Sequence, residues 1–97
     1  MENKIKKISK FSKNSDSSVV LREIREYNIN NDLIRNTEFD EDGNQIYEFI
    51  AKYDDTNKLI QEITTFVDEE DSETKDYSYE NDVLSQIKTE LIILRLL

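Results

Sequence analysis

Residues 39–66 read FDEDGNQIYEFIAKYDDTNKLIQEITTF. An aromatic residue opens the stretch, an acidic and polar segment follows, an apolar run comes next, and the order starts again at Tyr53. Gly43 and Asn57 each stand four residues after the aromatic that opens their unit. A tight hairpin turn needs a residue at ease with positive φ, and Gly and Asn meet that need at least cost. The requirement accounts for the only Gly in the chain. Between the turns, IYEFIAKY and LIQEITTF are rich in Ile, Thr, Tyr and Phe, which suit a pleated surface, and both predict strands.

The unit extends in both directions. Tyr27, Phe39, Tyr53, Phe66 and Tyr79 are separated by 12, 14, 13 and 13 residues. YNINNDLI, from Tyr27, places Asn31 at the turn position, and YENDVLSQI, from Tyr79, ends the series. FVDEEDSET, from Phe66, is a degenerate unit without the apolar pair. Units of this length, with IRNTEF as a further strand, predict an antiparallel meander whose sequential strands are neighbours. The expected fold is mostly β, with about five or six strands.

Alternation sorts the side chains. Tyr47, Phe49, Ala51 and Tyr53 share one face of their strand; Ile46, Glu48, Ile50 and Lys52 share the other. Neighbouring LIQEITTF is clean on neither side, so both faces of the sheet carry apolar groups. Burying them calls for a sheet that curls, a short terminal helix over one face, or a partner.

The ends are less regular. Residues 1–16 are rich in Lys, Ser and Asn and read as a basic, flexible tail ahead of an acidic domain over residues 17–97. VVLREIREY predicts a strand, although Val20, Ile24 and Tyr27 also fall at helical spacing. YSYENDVLSQIKTE predicts a hairpin with its strand ending near Glu90, while Leu84, Ile87, Leu91 and Leu94 also fit an amphipathic helix capped by Asp82.

Composition limits the chemistry. The 97 residues suffice for one domain. Without Cys or His there is no disulfide, no thiolate or imidazole metal site and no triad, so neither an enzyme nor a cofactor is expected. No apolar run approaches the roughly 20 residues of a membrane span, and no secretory apolar region follows the N-terminal lysines. A cytoplasmic location and no membrane partner are the expectations. Net charge is -9, divided as +4 over residues 1–13 and -13 over the rest. Such a body repels nucleic-acid phosphates and attracts basic protein surfaces.

The quoted stretch resembles the YD repeats of the Rhs family, which combine a Tyr-Asp pair, a turn Gly and a short apolar strand. Tyr53-Asp54 and Phe39-Asp40 match the signature pair, whereas Asn28 follows Tyr27 and Glu80 follows Tyr79. The resemblance covers roughly residues 20–90. It implies a β-sheet scaffold and binding instead of catalysis, although four or five units are too few to enclose a cargo as the large family members do.

Two segments stand out as candidate partner contacts. Asp68, Glu69, Glu70, Asp71 and Glu73 form an acidic run longer than a hairpin needs, suited to Lys and Arg of a partner or to mimicry of nucleic-acid phosphates. Leu91, Ile92, Ile93 and Leu94 open the most apolar segment, which needs cover from the sheet or from another chain, including an identical one. Glu38 with Asp40, Asp42 and Gly43 looks like the start of a calcium loop, but its twelfth position is Phe49 where a Glu belongs, so a hairpin turn is the expectation. The functional expectation is a protein-binding module of the immunity, antitoxin or anti-defence inhibitor kind that blocks a basic surface. Self-assembly as a structural repeat is the alternative, and nucleic-acid mimicry a further one.

Overall fold

A computed structural model describes residues 6–93. Its seven strands are β1 (Lys6–Lys13), β2 (Val19–Tyr27), β3 (Leu33–Phe39), β4 (Gln45–Tyr53), β5 (Leu59–Phe66), β6 (Asp71–Glu80) and β7 (Val83–Ile93). They lie in chain order in a single antiparallel sheet, each paired with the strands before and after it. The meander expected from the repeats is therefore present.

The sheet is open and one layer thick. Its thinnest dimension is 16 Å, enough for one sheet with its side chains but not for two, whose backbones alone lie about 10 Å apart. The radius of gyration is 16.5 Å, against about 12.5 Å for a compact domain of this length. Among the described residues there is no helix and no curling closure, which corrects the expected helical cap or curl. The segment with helical spacing near the C-terminus pairs instead along β6, from Glu80↔Val83 to Asp71↔Ile93.

β1 is the strand that the sequence reading places in a tail. It pairs with β2 from Lys6↔Tyr27 to Lys13↔Val19, and Lys10 Nζ lies 3.4 Å from the Glu23 carboxylate. Its lysines settle on the edge of a body of opposite charge, and the backbone ladder extends what charge alone would leave loose.

The turns explain the repeat. Four connections share one geometry: the N–H of the first residue donates to the carbonyl four residues on, and the fourth residue donates back to the first. The fourth positions are Ser17, Asn31, Gly43 and Asn57, with φ of 72°, 68°, 86° and 67°. This is a three-residue loop in which a type I turn ends on a left-handed residue. In the last three, the opening Asn28, Asp40 or Asp54 also accepts, through its side chain, the N–H groups two and four residues on. The β6–β7 turn is tighter, with both Asn81 and Asp82 at positive φ.

Each of these five hairpins also carries a bulge in its second strand. Arg22, Ile34, Ile46, Ile60 and Ser85 are the extra residues, without a partner opposite. Ile34, Ile46 and Ile60 are thus the second members of the repeated pairs after each turn, and the strand alternation read through Ile46 and Ile60 is interrupted there. Opposite the last four bulges stand Tyr27, Phe39, Tyr53 and Tyr79, which gives the aromatic punctuation a structural role.

Away from the bulges the two faces are distinct. One holds Tyr47, Phe49, Ala51, Phe66, Tyr77, Ile87, Leu91 and Ile93; the other holds Ile24, Ile50, Ile63 and Ile92 among Thr and charged residues. Ala51, on the aromatic face, is the one buried hydrophobic residue among those described. The faces are held by cross-strand pairs such as Tyr47 against Phe66, with ring centroids 5.4 Å apart, and Arg35 to Glu48 at 2.6 Å. Such pairs contribute about 0.2–1 kcal/mol each.

Candidate functional site

The two segments singled out in the sequence lie side by side in the sheet. β6 pairs with β7 so that Asp71 faces Ile93, Ser72 faces Ile92 and Glu73 faces Leu91. Asp68, Glu69 and Glu70 form the turn that leads into β6, with Glu70 at φ 55°. Asp71 and Glu73 project on the aromatic face together with Phe66, Leu91 and Ile93, whereas Ile92 projects on the other. Leu94 lies outside the described residues.

The apolar side chains of this corner are exposed, as are Phe11, Val19, Ile29 and Val83 elsewhere in the chain. Leu91 is 59% exposed, and Ile87, Ile92, Ile93, Phe66 and Val67 are exposed as well. The remainder of β7 is exposed along its full length. An apolar strip bordered by carboxylates is therefore open to solvent. Carboxylates next to apolar side chains suit a partner that offers Lys or Arg, whose aliphatic stems pack on the strip while the charged heads reach the acids.

Polar groups elsewhere are mostly satisfied within the sheet. Tyr77 donates its hydroxyl to the Glu62 carboxylate on the aromatic face. That bond, with burial and the Glu62 charge, pushes the Tyr77 hydroxyl up to about 12. Burial pushes the Glu23 carboxyl up, but hydrogen bonds and charge from Arg25 and Lys10 outweigh it and hold the group below its ordinary value. Tyr53 and Tyr79 donate to the carbonyls of Leu33 and Leu59, each twenty residues earlier. Asn30 donates to Asn57 at 3.3 Å and Lys58 pairs with Asp82 at 3.0 Å, tying together the three turns at that end of the sheet.

Among the described residues no group of three or more Asp or Glu could hold a metal ion. The Asp40–Asn44 segment forms a hairpin turn, its Asp40 carboxylate accepting the N–H groups of Asp42 and Asn44 at 2.9 Å. An open depression of about 260 Å³ is lined by Lys10, Arg22, Glu23, Glu38, Phe39 and Ile46. Its Lys10 and Glu23 are already paired with each other. No described helix is long and apolar enough to cross a membrane.

The sequence reading missed one feature of this corner, the register that sets acid against apolar. Asp71 and Ile93 are 22 positions apart; the tight turn at Asn81-Asp82 was the signal that could have joined the two strands. The bulge at Ser85, however, shifts the register by one and so sets Asp71 against Ile93, where the turn alone would set it against Ile92. No family profile, curated protein or solved structure matches the chain.

Proposed function

We propose that the chain is a non-catalytic protein-binding module that engages a basic protein surface through the aromatic face at the β6–β7 corner. The observation that carries the reading is the pairing of Asp71 with Ile93 and Glu73 with Leu91 on an exposed face. The total accessible surface of 7267 Å² supports it. A compact monomer of this mass exposes roughly 5,800 Å², so about 1,500 Å² more than usual is left in water, more than the roughly 800 Å² that one partner contributes to a standard interface. Blocking a basic site in the manner of an immunity protein or inhibitor is the mode of action that charge and thinness favour.

The test compares the wild-type chain with the Asp71→Lys/Glu73→Lys variant as bait in native extracts at low and moderate salt. The expected result is a partner retained by the wild type, lost by the variant, and carrying a Lys- or Arg-rich surface. Equal retention by both baits, or no basic partner at either salt, would refute the reading.

A further inference from the structure

β7 is an edge strand: β6 pairs with one side, and no described strand lies on the other. The edge formed by β7 is long and carries no proline, the kind that proteins usually blunt against pairing. The opposite edge is blunted. β1 carries four lysines and no acid, so two copies of it repel.

The sequence of β7 is self-complementary in charge and apolarity. An antiparallel two-fold pairing places opposite each other residues whose numbers add to a constant, and that constant must be even to keep like faces together. Centred on Thr89, Lys88 lies opposite Glu90 of the second copy, and Glu90 opposite its Lys88. Ile87 then lies opposite Leu91 of the second copy, and Leu91 opposite its Ile87. Both apolar pairs fall on the aromatic face and both charge pairs on the other, as the pairing with β6 fixes them.

The adjacent registers fail on charge. Centring on Lys88 sets Lys88 against itself, and centring on Glu90 sets Glu90 against itself, whereas like charges directly opposite destabilise a pair. Ser85, the bulge residue, falls outside the stretch 86–92 that the Thr89 register uses, so the strand is regular where it needs to be.

We propose that two copies of this chain associate through β7, antiparallel and centred on Thr89, to continue the sheet across a two-fold axis. Such a dimer goes beyond the binding reading and does not depend on it, because the edge is used while the faces stay open.

Sedimentation of the purified chain over a concentration series tests it. A monomer–dimer equilibrium is expected. Glu90→Lys sets lysine against lysine twice, and weakens the dimer about tenfold or more. Lys88→Glu does the same with acids. Because Lys88 also lies opposite Asp76 in its own chain, the folding of this variant is checked by circular dichroism.

Mixing the two variants restores association, since one copy then presents lysine at both positions and the other presents glutamate at both. A heterodimer in the mixture, with each variant weaker alone, is the expected outcome. A chain that stays monomeric throughout, or assembles beyond the dimer without limit, overturns the proposal. So does equal association of both variants alone and mixed.

Discussion

Gly43→Ala and Ser17→Gly exchange side chains at equivalent left-handed positions and should move stability in opposite directions. At Gly43, φ is 86° and an added Cβ would meet nothing within 4 Å, so the cost is conformational and not a clash. Holding an L-residue in the left-handed region costs about 1–2 kcal/mol. Removing a glycine from the unfolded chain returns about 0.4–1 kcal/mol. The net expectation is a loss of about 1 kcal/mol, which lowers the thermal midpoint by roughly 4–8 °C for a domain of this length. Ser17 is exposed at φ 72° and uses only its backbone in the turn. Glycine there relieves the same cost, less about 0.5–1 kcal/mol for its greater unfolded freedom, and raises the midpoint by a few degrees. The assay is thermal unfolding by circular dichroism at one fixed protein concentration, since any self-association would move the midpoint with concentration. An unchanged midpoint in Gly43→Ala, or a lower one in Ser17→Gly, would refute the claim that a left-handed fourth residue closes each of these hairpins.

Tyr77→Phe removes the hydroxyl that donates to Glu62. It should cost about 1 kcal/mol near neutrality, a low figure for a bond to a charged group because solvent screens the half-exposed pair. The Tyr77 hydroxyl is raised from 10 to about 12 in the fold. Its contribution is therefore complete below pH 10 and lost as pH rises through 12, so the urea midpoints of wild type and variant should converge over that interval. Acid works in the other direction. Backbone hydrogen bonds hold the Asp40 and Asp54 carboxyls below 3.8, chiefly from Asn44 and Lys58 respectively. Their contribution is present above that pH and lost below it, and Asp40→Asn/Asp54→Asn should flatten the acid limb of a stability–pH curve. The Arg35–Glu48 pair, with Arg35 half exposed, should give a coupling energy of about 0.2–1 kcal/mol in a double-mutant cycle, and a value near zero would remove it from the account of the isoleucine face.

The strands and turns were legible because each rests on local chemistry. Asn31, Gly43 and Asn57 announce left-handed positions, and Tyr, Phe, Ile and Thr announce the pleated runs between them. Ser17 occupies the same position without announcing it, and Lys13 stands where the other units have an aromatic. The first turn, and with it β1, was therefore hidden in a stretch that composition reads as a tail. The bulges were hidden for a different reason. Ile34, Ile46 and Ile60 look like ordinary strand residues, and only the pairing of both strands reveals the extra one. The candidate site was legible residue by residue but not as a place, because strand register is a property of two segments and its acidic and apolar parts are brought together only across the β6–β7 hairpin.

The thinness of the sheet makes the two proposals compatible and separable. A two-fold axis perpendicular to the sheet keeps the aromatic faces of both copies on one side, so β7 pairing would place two acidic–apolar corners beside a common seam. Each corner would remain open, because edge pairing consumes backbone groups and leaves the face that carries Asp71, Glu73, Leu91 and Ile93 uncovered. A partner with two basic patches would then meet both corners, and the second contact would form at the high effective concentration set by the first. Glu90→Lys acts on the seam from the isoleucine face, whereas Asp71→Lys/Glu73→Lys acts on the corner from the aromatic face. The first variant should reduce self-association and any gain from bivalency while leaving the intrinsic affinity of one corner intact. The second should abolish partner capture and leave the monomer–dimer equilibrium in place. Loss of both properties in either variant would mean that edge and corner form one surface, and the separation argued from the alternation of β7 would fail.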